Sequence, residues 1–269
     1  MRQIFPGLLA VAVALAGAAF AQDAAMVSLQ TADDSRGWDA VGKLILGDRG
    51  FCTGALIEPQ LVLTAAHCLY DKATGVQMRP EDIEFHAGWR NGRAVAYRSV
   101  TRTLTHPDYR YGGNDKLGRV TADLALLELS QPIRLPSLAP FETGATPVEG
   151  DSVGVVSYAQ DRAEAPSIQE FCKVLAGRRE TLILSCNVDF GSSGAPVFAI
   201  TDGVARVVSV ISAKAEVDGR KVALAVPLAV PLAVLRAALD DSKRTGRMPQ
   251  GGVSVLSGGQ GNGAKFVKP

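Results

Sequence analysis

The 269-residue chain has almost no charge imbalance: 28 lysines and arginines stand against 27 aspartates and glutamates, a net charge of +1. Without an excess of one sign there is no long-range pull toward nucleic acid or acidic lipid, and no nucleic acid is expected as a partner. Past the first 21 residues no stretch is apolar enough to span a bilayer, so no stable membrane insertion is expected of the mature chain. C-x-x-C spacing is missing, which leaves zinc or thioredoxin-like chemistry without support; no metal and no cofactor is expected. Helical periodicity is scarce before the last fifth of the chain, and no repeat of solenoid or propeller period occurs.

What is present begins with an address. Arg2 supplies a positive start, Gly7 to Phe20 is an uncharged run, and Ala19-Phe20-Ala21 offers small residues where a signal peptidase reads. Residues 1–21 are therefore expected to be a signal peptide cut before Gln22, leaving an N-terminal segment over 22–40. The alternative, an uncleaved anchor, is weakened by Pro6, Gly17 and the abundance of alanine. Export places the chain in the periplasm or outside the cell, where an even number of cysteines reads first as disulfides. The four cysteines allow three pairings, of which local closure of Cys52 with Cys68 and Cys172 with Cys186 is favoured. Each loop would contribute about 3 kcal/mol in the chain-entropy model.

Short runs rich in Val, Ile, Leu and Thr, separated by turn residues, dominate the rest. They include Lys43 to Leu46, Leu61 to Thr64, Leu124 to Leu129, Ser152 to Tyr158, Leu182 to Cys186, Val204 to Ile211 and Val222 to Val226. Such a pattern predicts an all-β chain of antiparallel barrels or a sandwich. The proline-rich stretch Gln131 to Pro147 cannot form a central strand and reads as a connector between two β units. From Pro231, Leu232, Leu235 and Leu239 share one helical face, predicting a C-terminal α-helix over 231–243. Residues 247–269 are rich in glycine and are expected to lack fixed structure.

Three segments carry the chemistry: Leu63-Thr64-Ala65-Ala66-His67-Cys68, then Thr121-Ala122-Asp123-Leu124-Ala125, then Phe190-Gly191-Ser192-Ser193-Gly194-Ala195-Pro196. Each alone has a plain structural explanation, as a strand end, a strand cap and a flexible linker. Their joint occurrence in the order His, Asp, Ser resembles the active-site motifs of trypsin/chymotrypsin-like serine peptidases. Phe51-Cys52-Thr53-Gly54-Ala55-Leu56-Ile57 and His106-Pro107-Asp108-Tyr109 extend the resemblance, which runs from about Val41 to Leu239. It implies two six-stranded β-barrels within a peptidase domain over 41–246, barrel 1 at about 41–130 and barrel 2 at about 148–230. It also implies the pairing Cys52 to Cys68 and Cys172 to Cys186. His67 would act as general base and acid, Asp123 would orient it, Ser193 would be the nucleophile, and the amides of Gly191 and Ser193 would form the oxyanion hole.

Two departures matter. Ser192 stands where digestive relatives carry an Asp that pairs with a new N-terminus, so activation is expected not to need a buried terminal amine. The motif is nearer to compact bacterial trypsin-like and glutamyl-endopeptidase-like members. Asn187 occupies the position of the trypsin pocket Asp, Val188 stands where glutamyl endopeptidases commonly carry Thr, and the pocket wall is expected from Val208 to Ala213. Asn187 and Ser209 are the substrate-binding candidates, with Ser212 an alternative to Ser209. His86 reads as an ordinary strand residue and His106, in its His-Pro-x-Tyr context, as structural. The Gly-x-Ser-x-Gly elbow is not met, because Ala195 replaces the second Gly. The sequence thus predicts a monomeric endopeptidase acting on protein or peptide substrates; a non-catalytic protease-fold binder and a serine esterase are the competing readings.

Overall fold

Alternation decides which segments become barrel walls. Along Ile83–Ala87, Ile83, Phe85 and Ala87 are buried while Glu84 is exposed, the two-residue period of a strand with one wet face. A computed structural model describes residues 23–112, 115–178, 180–245 and 265–266. Its elements in chain order are β1 (Val27–Ser28), β2 (Val41–Leu46), β3 (Phe51–Glu58), β4 (Leu61–Thr64), β5 (Ile83–Ala87), β6 (Ala96–Thr105), α1 (Lys116–Thr121) and β7 (Ala125–Leu129). There follow β8 (Ser152–Ala159), β9 (Arg162–Arg178), β10 (Thr181–Leu184), β11 (Pro196–Thr201), β12 (Val204–Val217), β13 (Arg220–Pro227), α2 (Ala229–Thr245) and β14 (Lys265–Phe266).

The strands close into two six-stranded antiparallel barrels. The first runs β2-β3-β4-β7-β6-β5 and closes through β2 against β5. The second runs β9-β10-β13-β12-β11-β8 and closes through β8 against β9. Among the described residues, closure pairs each barrel strand on both sides, so no long edge is left open to another chain. β1 adds to β9 and β14 to β12 outside these rings. Within the glycine-rich stretch, only Lys265–Phe266 are described; the rest of it, like the expected signal peptide, lies outside the described residues.

Two walls escaped the strand reading of the sequence. β6 carries Arg98 and Arg102 and β9 carries Glu164, Pro166, Glu170 and Lys173, so neither is a plain apolar run. Pairing compensates: β9 lies between β8 and β1 near Ile168, and Ala165 to Gln169 are buried there. The connector between barrels has no named strand but inserts Phe141 against Phe198 at 4.7 Å, with Trp38 5.0 Å from Phe198. Tyr158, fully buried, donates its hydroxyl to the Trp89 carbonyl at 2.9 Å and joins barrel two to barrel one.

Helix α2 starts two residues earlier than the apolar periodicity indicates, with Pro231 inside its first turn where a missing N–H costs no hydrogen bond. Leu232, Leu235 and Leu239 are its buried face. Arg236 pairs with Glu58, Lys243 with Glu128 at 2.7 Å, and Arg102 donates to Ser242 at 2.9 Å, so the helix that follows barrel two is tied back onto barrel one. The disulfides join Cys52 to Cys68 and Cys172 to Cys186, with Cα separations of 6.2 and 5.1 Å, each inside the reach of the bond.

His106 is buried, and burial holds its pKa below the ordinary 6.5 against the opposing pull of Asp108. The folded protein therefore resists a proton that the unfolded chain takes up, and stability falls as pH drops from about 6.5 through the lowered folded-state value. Urea midpoints are expected to be lower at pH 5 than at pH 7, and His106→Gln to reduce that drop. Equal drops in both proteins would remove His106 from the account.

Candidate active site

β4 delivers the histidine. Thr64 at its end donates to the Thr53 carbonyl of β3 at 2.8 Å, and the chain then turns through a 3-10 segment, Ala66–Leu69, that carries His67. The disulfide from Cys68 to Cys52 ties that turn to β3. Asp123 sits between α1 and β7, 3% exposed. Its Oδ1 accepts from the His67 backbone N–H at 2.8 Å and its Oδ2 lies 2.7 Å from His67 Nδ1. A third donor comes from barrel two: Ser212 Oγ, 2.5 Å from Asp123 Oδ2. With Nδ1 donating, Nε2 is left as the acceptor, and His67 is a quarter exposed, at 24%. The turn His106-Pro107-Asp108-Tyr109 braces the aspartate from behind, through His106 N–H donating to the Leu124 carbonyl at 2.9 Å.

The serine loop is held from both barrels. The Thr53 N–H donates to the Ser193 carbonyl at 2.8 Å, and Thr53 Oγ1 donates to the Gly191 carbonyl at 2.8 Å. On the far side, Gly194 N–H donates to Ile211 O at 2.8 Å, one residue before Ser212. Two glycines are required by geometry. At Gly191, φ is +96° and a Cβ would meet the Phe51 ring at 2.4 Å; at Gly194, φ is +79° and a Cβ would meet Thr53 O at 2.3 Å. Behind the loop, Ser192 is fully buried, its hydroxyl 3.2 Å from Ser157 Oγ, 3.3 Å from Tyr158 O and 3.5 Å from Arg162 Nη2. Burial lowers the Arg162 pKa from its ordinary value.

The loop's carbonyls are thus engaged while the N–H groups of Gly191 and Ser193 donate to nothing among the described residues. No hydrogen bond joins Ser193 Oγ to His67 among them either, and such contacts commonly tighten only when substrate binds. His67, Cys52 and Cys68 place ligand-type atoms within 4.8 Å of one another, but both sulfurs are spent in the disulfide and no thiolate is on offer. His86 pairs with Glu84 at 2.9 Å on β5, away from this chemistry.

Beside the serine loop opens a cleft of about 510 Å³. Asn187 lines it and is exposed, its N–H held by Gln169 Oε1 at 2.7 Å. Ser209 does not line it. Its side chain is fully buried and donates to Val226 O at 2.6 Å inside barrel two, which corrects its assignment to the pocket. The reason is a register shift between Ile211 and Ala213: this bulge takes Ser212 out of the ladder with β13 and turns it to Asp123. The opposite wall comes from Lys214, Ala215 and Glu216, beyond the expected Val208 to Ala213. Lys214 Nζ is 2.7 Å from Asp189 Oδ1 and 3.6 Å from the centroid of the Phe190 ring. That ammonium holds the Asp189 carboxyl below its ordinary pKa. A lysine two residues past Ser212 in an apolar strand was the available sign.

Comparisons with known proteins agree with this architecture. Glutamyl endopeptidase of Bacillus licheniformis is 27% identical over 150 residues, covering 55% of this chain and 45% of that protein. Tryptase of Mus musculus is 36% identical over 90 residues, covering 32% of this chain and 28% of that protein. The matched stretch spans less than half the length of either relative. A solved structure titled "Structure of Glu endopeptidase in complex with MPD" shares the fold, with a TM-score of 0.64 at 17% identity over 81% of this chain and 97% of that one. Residues 52–210, more than half of the sequence, match the family described as "Trypsin-like peptidase domain", and the chain belongs to that family.

Proposed function

We propose that the chain is an exported serine endopeptidase that cuts peptide bonds through an acyl-enzyme on Ser193, after removal of residues 1–21. The observation that carries the reading is the Asp123 carboxylate, buried yet bonded at once to His67 of barrel one and Ser212 of barrel two. A carboxylate so placed keeps the His67 ring in the tautomer whose Nε2 can take a proton. The Ser193 oxygen attacks the substrate carbonyl carbon as its proton passes to His67 Nε2. The oxyanion that forms is received by the two uncommitted amides, Gly191 and Ser193. Collapse breaks the C–N bond while His67 returns the proton to the leaving amine. Water, deprotonated by the same ring, then hydrolyses the ester. Ser192 is read as the buried strut that keeps those amides aimed, a task for which no terminal amine is needed.

Ser193→Ala is expected to reduce kcat on the order of 10⁵- to 10⁶-fold with the melting temperature unchanged. Intact mass after treatment with a small fluorophosphonate checks the same point without a chosen peptide: one adduct on the parent protein, none on Ser193→Ala or His67→Ala. A folded parent that takes no adduct supports the binding-protein reading, and turnover of esters but not peptides supports the esterase.

Ser192→Ala should lower kcat roughly 10- to 100-fold while KM stays close to the parent value, because the oxyanion donors matter most in the transition state. Steady-state kinetics on one peptide ester separate the two constants. An unchanged kcat would leave Ser192 a packing residue only.

A further inference from the structure

The cleft beside the serine loop contains a complete ion pair of its own. Asp189 and Lys214 stand on opposite walls, the first three residues before Ser192 and the second two residues after Ser212. Past the bulge at Ser212 the ladder with β13 resumes, and Lys214, opposite Ala223, lines the cleft. The Lys214 ammonium does two things there. It donates to Asp189 Oδ1 at 2.7 Å, and it lies 3.6 Å from the centroid of the Phe190 ring, immediately before Gly191. The same Asp189 oxygen also accepts from the Phe190 N–H at 2.7 Å, which fixes the carboxylate in that position. Lys214 is 25% exposed along its side chain and Asp189 48%, so solvent and a ligand reach both. Around them the lining is small or apolar at Cys186, Val188, Ala215 and Val222, and at its exposed rim one charge of each sign, Glu216 of β12 and Lys221 of β13, stand opposite each other in the ladder.

Resting on the endopeptidase reading above, we propose that Lys214 is a specificity-determining residue: it acts as a resident counter-ion for Asp189 and makes this a charge-neutral pocket for an uncharged substrate side chain next to the cut bond. A substrate lysine or arginine entering the cleft meets an aspartate that already has its cation, and would have to expel Lys214 from both Asp189 and the Phe190 face. A substrate glutamate meets the converse, a lysine already committed to Asp189. Either charged side chain would be desolvated against a pair whose charges already answer each other, with only the solvated rim charges Glu216 and Lys221 as further partners, which is a discrimination against both signs. An uncharged side chain leaves the pair intact and packs on the apolar lining.

The arrangement predicts two opposite switches. Lys214→Met keeps the aliphatic stem over Phe190 but frees Asp189, and is expected to raise kcat/KM for Lys and Arg substrates relative to Leu substrates on the order of tenfold or more. Asp189→Asn frees Lys214 instead, and should raise the same ratio for Glu substrates by a similar factor. The parent protein should cleave matched peptides after Leu or Ala in preference to Lys, Arg, Glu or Asp. Fluorophosphonate labelling of each variant separates the two layers of the argument: labelled variants whose charge preferences do not move would overturn the pocket proposal alone. Benzamidine, titrated calorimetrically, gives a readout that needs no turnover. It should bind Lys214→Met at least tenfold more tightly than the parent, whether or not peptides are cut, and equal affinities would overturn the proposal. A parent protein that already prefers Glu or Arg would overturn it as well.

Discussion

A carboxylate that is 3% exposed must have its charge answered by donors, because an unpaired buried ion costs several kcal/mol. Asp123 meets that demand with three groups from two separate parts of the chain: the backbone and ring of His67 after β4, and the hydroxyl of Ser212 on β12. The Ser212 bond can exist only if the two barrels meet in one relative position. Much else follows from it. β12 carries the Gly194 contact and the Lys214 wall as well as Ser212, so whatever positions Ser212 also positions the serine loop and the cleft.

The barrels themselves supply stiffness. Each wall is tied to two neighbours, and directional polar contacts cross between the barrels, among them Thr53 to the Gly191 and Ser193 carbonyls, Tyr158 to Trp89 and Lys43 to the Ala163 carbonyl. Helix α2 crosses back onto barrel one and ties the end of barrel two to Glu58 and Glu128. A site built from the turns of such a scaffold can hold side chains in place without the turns themselves being large. The glycines at 191 and 194 are the local consequence, since the backbone there passes so close to Phe51 and Thr53 that no side chain fits.

Charge is handled differently at Asp123 and in the cleft. Near Asp123 the charge is buried and fully bonded. Near Asp189 it is half exposed, and the partner is a flexible lysine rather than a fixed hydroxyl. The first arrangement favours a constant geometry, the second one that a ligand can disturb. That difference suits the division of labour proposed above, in which the reacting groups stay fixed and the recognition groups respond to what enters.

How much of this was legible in the residues depends on whether a property is local. Class and motif were local: Val- and Leu-rich runs broken by turn residues announced an all-β chain, and the His67, Asp123 and Ser193 segments could be read from their immediate neighbours. The amphipathic face of Leu232, Leu235 and Leu239 announced α2. The polar walls β6 and β9 were hidden because their strand character comes from the ladders on either side of them, a gain no single segment displays. Ser209 and Ser212 could not be told apart for a related reason. Which of two serines three residues apart leaves the core depends on a bulge, and the bulge exists only through the register between β12 and β13. The sequence by itself therefore determined the kind of fold and the kinds of chemical group available. Tertiary structure alone decided that Ser212 answers Asp123 and that Lys214 meets Asp189, because both pairs join residues dozens of positions or a whole barrel apart, and their distances are set by packing.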